Sequence, residues 1–295
     1  MTPMDALRWL HGLLFAVPMF VTAWLYMVLI FPPLSLLLLF RPTRFYFHIV
    51  RYALFDIWKY FAALGLEWFA MTKIRVTLDD KTELSNESTL FISNHPTHLD
   101  WHPIFCLSSR CGQNGRLRVL LKEQLHNVPL LGWAWQLGMY VFLSRRDREA
   151  DVAWLSKSMQ HWKDGGVPGS WLIFPEGTTV SPVCLAENQE FARERGLQVY
   201  QHVLHPRTAG FVSMLQQGRS HLDAVYDLTT VYQYFSKGER PNELSYLKGR
   251  FPPAIHMHVK RFAVQDLPTD DDELAEWCKE RKPGRCSCLP ACMLG

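Results

Sequence analysis

The longest stretch of this chain without a charged side chain runs from Trp9 to Phe40, and it constrains the fold more than any other feature. A bilayer core is crossed by about 20 apolar residues in helical form, so the run is long enough to span it. Pro18, Pro32 and Pro33 interrupt the run, which leaves open one span with an interfacial stretch or two half-length helices that re-enter. A cleaved signal peptide would have an apolar region of only about 7–15 residues. We therefore expect an uncleaved membrane anchor over residues 1–43.

The next segment, residues 44–72, has the pattern of an amphipathic helix. A helical step of about 100° per residue places its polar side chains within an arc of roughly 160°; they are His48, Arg51, Asp56, Lys59 and Glu67. The opposite face is aromatic and aliphatic. We expect this helix to lie in the headgroup region of a membrane, and packing against the protein core is the alternative. Basic residues that closely follow the anchor predict that the rest of the chain faces the cytoplasm.

Short apolar runs separated by helix-like stretches follow Met71. They predict strands at Lys73–Leu78, Thr89–Ser93, Arg118–Leu121, Tyr140–Ser144 and Trp171–Phe174, and an alternation over residues 255–259 predicts a later strand. Trp101–Ser109 and Glu149–Lys163 have helical character. Strands that alternate with helices indicate an α/β domain. We expect a mostly buried mixed sheet flanked by helices over residues 73–280, preceded by the N-terminal membrane helix or helix pair.

Charge and cysteine content exclude two classes of protein. With 31 basic and 28 acidic residues and a net charge of +3, the chain has no clustered basic stripe of the kind that binds nucleic acid. Four of its seven cysteines crowd the C-terminal end, which is not an extracellular disulfide framework. Their spacing fits a structural zinc site poorly. We expect reduced thiols there, in a divergent cysteine-rich tail over residues 281–295.

The strongest local feature is the segment Ser93–Trp101, directly after the predicted strand that ends near Ile92. His95 lies just beyond the strand end, where ligands of α/β sheets bind. Thr97 and Asp100 have the spacing of a capping box that opens a helix. Asp100 would then point back towards His95 and stabilise its protonated imidazole. Histidine has an ordinary pKa of about 6.5, so this pair suits the removal of a proton from a hydroxyl group.

Two features of the sequence narrow the chemistry of this pair. The chain contains no G-x-S-x-G turn, so we expect direct attack of an acceptor hydroxyl on an acyl thioester rather than a covalent acyl-enzyme. His95, His98 and His102 have helical spacing and offer a metal site as the alternative. Pro96 opposes that alternative because the residue before a proline avoids the helical conformation.

Several further segments carry a resemblance to a known family. The ordered blocks are Asn94-His95 with Asp100, Lys122-Glu123 with Pro129 and Gly132, Phe142-Leu143-Ser144-Arg145, and Phe174-Pro175-Glu176-Gly177-Thr178. Their order and spacing resemble the glycerophospholipid acyltransferase superfamily. Residues 203–211, 226–229 and 251–259 are similar to its lysocardiolipin and lysophosphatidylinositol acyltransferase branch. The resemblance extends to about Glu280.

The resemblance implies that His95 and Asp100 are catalytic. It further implies that the phosphate of the acceptor is bound by Arg145, Glu176, Gly177 and Thr178, and that Lys122 helps to attract substrate phosphates. A guanidinium fork and a glycine-containing turn both suit a phosphate. Many superfamily members carry arginine after the E-G-T triplet, where this chain has Thr179. That contact is therefore absent here or is supplied by Arg145, Arg146 or Arg207.

The resemblance also implies the reaction and its partners. We expect an acyltransferase that moves a fatty acyl group from acyl-CoA, as co-substrate, to a lysophospholipid such as lysophosphatidic acid, lysophosphatidylinositol or monolysocardiolipin. It would need no metal and no bound cofactor, and it would act at a lipid bilayer, in the endoplasmic reticulum. A catalytically inactive membrane scaffold and a metal-dependent lipid hydrolase are the alternatives.

Overall fold

The computed structural model describes residues 2–40, 44–79, 82–129, 131–144, 146–164, 169–233 and 240–281. Its strands are β1 (Lys73–Leu78), β2 (Thr89–Ser93), β3 (Leu117–Lys122), β4 (Val141–Leu143), β5 (Ser170–Ile173), β6 (Ala224–Tyr232) and β7 (Ala254–Ala263). Its α-helices are α1 (Pro3–Leu25), α2 (Phe31–Ser35), α3 (Arg44–Leu64), α4 (Trp101–Arg110), α5 (Leu131–Leu137), α6 (Arg148–Asp164), α7 (Pro182–Glu194), α8 (Ala209–Gly218), α9 (Glu243–Leu247) and α10 (Asp271–Glu280). Beyond residue 281, the predicted cysteine-rich tail lies outside the described residues.

The strands form one seven-stranded sheet in the order β1-β7-β6-β2-β5-β3-β4. All neighbouring pairs are parallel except β6 and β7, which are antiparallel. Strand β2 lies at the centre, and every one of its residues is buried. This confirms the predicted α/β fold with a buried mixed sheet. Because β5, β2 and β6 run in the same direction, their C-terminal ends meet at one edge of the sheet, where ligand sites form.

Helices cover both faces of the sheet and bury a hydrophobic core on each. On one face Phe91 of β2 belongs to a cluster with Phe15 of α1, Ala62 of α3 and Phe105 of α4. On the other face the alternate residues of β2, Leu90 and Ile92, belong to a cluster with residues of α6, α8 and α10. The side chains of a strand point alternately to its two faces, so β2 contributes to both cores. The loop that follows β2 is thereby anchored from both sides.

The strand bounds differ little from those predicted. β1 and β2 have the predicted bounds, and β3, β4 and β5 begin and end within one residue of them. Strand β7 extends the predicted residues 255–259 in both directions. The sequence pattern did not predict β6, which has Asp227, Thr229 and Thr230 among buried apolar residues.

The N-terminal segment is helical from Pro3 to Leu38, since a π-helical turn and a 3₁₀ turn continue α1 and α2. Within the described residues this is the one helix long and apolar enough to cross a bilayer, with a mean hydropathy of 2.3 over its best window. Only 17% of that window is buried inside the protein. This largely unburied apolar surface weakly suggests that the segment associates with a membrane.

Helix α3 turns its charged face towards the protein. Arg51 and Lys59 are 4% and 0% exposed, and the Lys59 ammonium donates a hydrogen bond to the Leu117 carbonyl, 2.6 Å away. Apolar side chains on the opposite face are exposed: Ile57, Tyr60, Phe61 and Leu64, followed by Trp68 in the π-helical turn Gly65–Phe69. The sequence left open whether α3 lies in the headgroup region of a membrane or packs against the protein core. The charged face of α3 packs against the protein core. The face left for a membrane is the apolar one.

Candidate active site

The loop after β2 begins with Asn94, whose side chain fixes it to the neighbouring strand. The amide nitrogen of Asn94 donates to the Thr230 carbonyl at 2.9 Å, and its amide oxygen accepts from the Thr230 N–H at 2.8 Å. Thr230 lies in β6, which is paired with β2. This two-point contact holds the start of the loop at the C-terminal edge of the sheet, one residue before His95.

His95 and Asp100 are in direct contact. Nδ1 of His95 lies 2.8 Å from Oδ2 of Asp100. The same oxygen accepts from the Thr97 N–H at 3.1 Å, and Oδ1 accepts from the Tyr232 hydroxyl at 2.7 Å. Asp100 is fully buried, and burial raises its pKa, while the contacts with His95, Tyr232 and Thr97 oppose that rise. The hydrogen bonds are those of a carboxylate that orients an imidazole through Nδ1 and leaves Nε2 as the reactive nitrogen.

The capping-box pattern accounts for part of this geometry. The Thr97 N–H bonds to Asp100 as the pattern predicts, but α4 begins only at Trp101, and residues 98–100 form a turn. The Thr97 hydroxyl donates instead to the Pro241 carbonyl, 2.6 Å away. The carboxylate points back towards His95, as expected, although a turn rather than a helix carries it.

The other side of the imidazole faces the loop that follows β5. The ring of Phe174 stacks on His95, with ring centroids 3.9 Å apart and an angle of 14° between the planes. The hydroxyl of Thr179 lies 3.3 Å from Nε2. The side chain of His95 is 18% exposed, so the imidazole is held on three sides and can still be reached. Nε2 is therefore the nitrogen at which an acceptor hydroxyl could approach.

The predicted phosphate-binding loop lies next to this imidazole. Gly177 has a φ of +74°, in the left-handed region that glycine adopts without strain. A Cβ at this position would lie 3.2 Å from Cδ of Arg207, so the exposed Arg207 side chain passes close over the turn. Thr178 is half-buried in the same turn. The structure thus brings Gly177, Thr178 and Arg207 together.

Glu176 has a different environment. Its side chain is buried, Oε1 accepts from the His95 N–H at 3.0 Å, and Oε2 accepts from the Leu204 N–H at 3.1 Å. Burial raises the pKa of Glu176 to about 7, although both N–H bonds lower it. Both carboxylate oxygens of Glu176 thus accept hydrogen bonds from the protein backbone.

The remaining predicted residues lie further out or outside the described part of the chain. Lys122 is exposed at the C-terminal end of β3, two strands from β2 in the sheet. Arg145 lies outside the described residues. The structure therefore brings together His95, Asp100, Glu176, Gly177, Thr178 and Arg207, and places Lys122 on the same edge without contact to them.

The three histidines of the metal alternative have different surroundings. His98 is 69% exposed, and its Nδ1 lies 3.5 Å from the carboxylate of Glu243. His102 is fully buried, and its Nε2 lies 2.7 Å from the Ala62 carbonyl in α3. Across the described ranges no three His, Cys, Asp or Glu side chains lie close enough together to hold a metal ion. These imidazoles do not converge on one point.

Tyr232, Thr179 and Arg240 belong to the site but were not predicted as part of it. Arg240 donates through Nη1 to the carbonyl of Val180 at 2.9 Å and to that of Pro96 at 3.4 Å, so it ties the His95 loop to the Thr179 loop. Each of the three is far from His95 in sequence. Of these three residues, the sequence singled out Thr179 alone, because many superfamily members carry arginine there. That difference indicated a lost phosphate contact, whereas the structure places the Thr179 hydroxyl next to the imidazole.

Comparison with known proteins agrees with this architecture. A family model described as acyltransferase matches residues 73–233, and one described as acyltransferase C-terminus matches residues 245–281. The chain is 36% identical to lysocardiolipin acyltransferase 1 of Danio rerio over 252 residues, which are 84% of this chain and 63% of that protein. It is 34% identical to 1-acyl-sn-glycerol-3-phosphate acyltransferase 2 of Brassica napus over 218 residues, 73% of this chain and 55% of that protein. The chain thus spans less than two thirds of the length of either relative.

A solved structure has a similar fold. The 1-acyl-sn-glycerophosphate acyltransferase PlsC of Thermotoga maritima superimposes with a TM-score of 0.52 over 94% of this chain and 95% of that one, at 15% identity. The matched family residues begin at β1 and include the loop of His95, the turn of Gly177 and strand β6. From this match over more than half of its length, the chain belongs to the acyltransferase family, within the glycerophospholipid acyltransferase superfamily.

Proposed function

We propose that this protein is an acyl-CoA-dependent lysophospholipid acyltransferase with His95 as its general base. The proposal rests on the contact of 2.8 Å between Nδ1 of His95 and the buried Asp100, which leaves Nε2 of this 18% exposed side chain as the nitrogen that can accept a proton. An imidazole held in this way accepts a proton at Nε2, and the carboxylate stabilises the resulting imidazolium. The relatives named lysocardiolipin acyltransferase and 1-acyl-sn-glycerol-3-phosphate acyltransferase support the class of acceptor.

The reaction balances without a covalent enzyme intermediate. Nε2 of His95 takes the proton of the acceptor hydroxyl as its oxygen attacks the thioester carbonyl carbon. The tetrahedral oxyanion then collapses, the carbon–sulfur bond breaks, and the coenzyme A thiolate leaves. The imidazolium returns its proton to the thiolate or to solvent. The Thr179 hydroxyl, 3.3 Å from Nε2, lies where the acceptor hydroxyl must arrive, so the acceptor displaces it from the imidazole.

The acceptor phosphate is proposed to bind at the turn of Gly177. Gly177 has a left-handed φ, its N–H donates to the Phe174 carbonyl at 2.9 Å within the turn, and Arg207 adds a guanidinium beside the turn. Backbone N–H groups in such a turn together with a guanidinium form an anion site. Lysophosphatidic acid, lysophosphatidylinositol and monolysocardiolipin all present a phosphate. The proposal extends to Arg145 and Lys122 as further cations for the substrate phosphates.

Attachment to a membrane is proposed to use the N-terminal segment and α3. The segment Pro3–Leu38 is apolar and largely unburied, and α3 exposes its apolar face while its charges pack inwards. A lipid bilayer would cover both surfaces, and it also delivers the lysophospholipid. We place the catalytic domain on the cytoplasmic side because basic residues follow the anchor. The endoplasmic reticulum is proposed as the organelle from the family resemblance.

The test uses membranes that contain the wild type, His95→Ala or His98→Ala, labelled acyl-CoA and a panel of lysophospholipids. His98 is a matched control because it is an exposed histidine three positions away. We expect product from the wild type and His98→Ala, a loss of about 10³-fold or more in His95→Ala, and activity that survives chelation. Equal product from His95→Ala would refute the general-base role. Absence of product with every acceptor would favour the scaffold.

A further inference from the structure

Glu176 connects two segments that are distant in sequence. Its Oε1 accepts from the N–H of His95, 81 residues away in the chain, and its Oε2 accepts from the N–H of Leu204, 28 residues away. The side chain is 6% exposed. The carboxylate therefore joins the loop of the imidazole to the segment that carries Arg207, with the turn of Gly177 between them.

These contacts oppose a direct role in binding the acceptor. An ionised carboxylate placed against a phosphate would repel it, since both are anions. The two oxygens of Glu176 instead face backbone N–H groups of the protein. Arg207, by contrast, lies exposed over the turn. The anion site can thus form on one side of the turn while Glu176 occupies the other.

We infer that Glu176 is a positioning residue, which fixes the backbone of His95 so that its imidazole meets the substrate at the turn of Gly177. The inference rests on the proposed acyl transfer and assigns Glu176 a role other than phosphate binding. Displacement of the His95 backbone would move Nε2 away from the acceptor hydroxyl, even with the contact to Asp100 preserved. Small displacements of a catalytic group cost about 10²-fold in rate.

Each carboxylate oxygen of Glu176 faces a backbone N–H, so both oxygens must act as hydrogen-bond acceptors. An ionised carboxylate only accepts hydrogen bonds, whereas a protonated one carries an O–H donor, and glutamine carries an NH₂ donor in the same place. Either change turns a donor towards the N–H of His95 or of Leu204. One buried N–H then loses its partner, which is costly inside a protein. The positioning role is therefore tied to the ionised form.

The titration of Glu176 falls in an accessible range. Burial raises its pKa to about 7, opposed by the two N–H bonds and by His95, while Asp100 raises it further. Below that pH the side chain becomes neutral and its hold on His95 weakens; above it the ionised form predominates. The pocket that Glu176 lines has five other titratable groups in its lining: Tyr200, Asp227, Cys278, Lys279 and Arg281.

The first test is the acid limb of kcat/KM. Because the neutral Glu176 side chain should keep about 1–10% of the activity, the wild-type slope of log kcat/KM against pH should exceed 1 over about 1–2 pH units below pH 7 and return to about 1 at lower pH. In Glu176→Gln only His95 remains, and the slope falls to about 1. A substitution that only destabilised the fold would lower the rate without changing the number of protons that must dissociate for activity. A wild-type slope that stays at about 1 throughout this interval overturns the inference, and this measurement needs no variant that must fold.

The second test separates positioning from binding. In Glu176→Gln we expect kcat to fall by about 10- to 100-fold, with the acceptor KM changed by less than about 3-fold. Glu190→Gln, at an exposed position of α7, is the matched control and should keep wild-type kinetics. A Glu176→Gln kcat within about 3-fold of the wild type, or a rise in acceptor KM alone, contradicts the inference. The proposed function is tested separately by His95→Ala, a comparison in which Glu176 is unchanged.

Discussion

Asp100 holds His95 from a fully buried position: Oδ2 lies 2.8 Å from Nδ1 of the imidazole, and Oδ1 accepts the Tyr232 hydroxyl at 2.7 Å. Because both carboxylate oxygens have donors, the side chain has little freedom to rotate. The imidazole is further confined by the ring of Phe174. The pair is thus oriented by groups from the loop after β2, the loop after β5 and the end of β6.

Replacement of this carboxylate should remove most of the activity. Asp100→Asn keeps the size of the side chain but loses the negative charge that stabilises the imidazolium and selects the tautomer. We expect kcat to fall by about 10²- to 10⁴-fold, with little change in the acceptor KM. Steady-state transfer from labelled acyl-CoA measures this. Asp272→Asn, at an exposed position of α10, should retain full activity, and retention by Asp100→Asn would argue against the dyad.

Arg207 should affect the affinity for the acceptor more than the chemical step. Its side chain lies over the turn of Gly177, where we place the phosphate. Arg207→Ala should raise the acceptor KM by about 5- to 30-fold, the range for a charge-assisted hydrogen bond at a partly exposed site. Added salt should reduce the difference in acceptor KM between the wild type and Arg207→Ala, because salt screens the charge of the guanidinium. Arg193→Ala, in the exposed part of α7, is the comparison, and an equal effect there would place the phosphate elsewhere.

The exposed apolar face of α3, which Trp68 continues in the next turn, should contact lipid. Trp68 is 76% exposed at the end of that face, and Trp154 of α6 is 46% exposed on a different surface. In vesicles made with brominated phospholipids, quenching of tryptophan emission should fall in Trp68→Phe, because a lipid-facing indole is lost. Trp154→Phe should leave the quenched fraction unchanged. The opposite pattern would place α6, rather than α3, against the membrane.

His102 should make the protein less stable in mild acid. Burial lowers its pKa to about 4, whereas the ordinary value is 6.5. Between these values the unfolded chain binds a proton that the folded protein does not, so stability is lost as the pH falls below about 6.5. From pH 7 to pH 5 this loss should be up to about 2 kcal/mol.

Urea unfolding in detergent at both pH values measures the effect. His102→Gln retains an N–H donor for the Ala62 carbonyl but does not titrate in this range, so its stability should depend less on pH. An equal pH dependence in both proteins would show that other groups dominate the acid response.

The sequence alone predicted the elements that local periodicity encodes. The burial of β2 follows from its three consecutive apolar residues, 90–92, and the place of His95 follows from its position directly beyond that strand. The spacing of Thr97 and Asp100 predicted a carboxylate that turns back towards the imidazole. The ordered motifs predicted the family. Strand β6 was not predicted because Asp227, Thr229 and Thr230 obscure its apolar pattern, and only pairing with β2 and β7 explains its burial.

Tertiary structure decided which groups complete the site and which way they point. The sequence alone determined the charge-free N-terminal run, the α/β pattern and the histidine with its nearby carboxylate, since these depend on neighbouring residues. Tertiary structure brought Tyr232 to Asp100, placed Thr179 at Nε2, turned Glu176 towards the His95 backbone and directed the charges of α3 inwards. Each of these contacts joins segments far apart in the chain. Their geometry depends on strand order and loop packing, which periodicity and spacing do not encode.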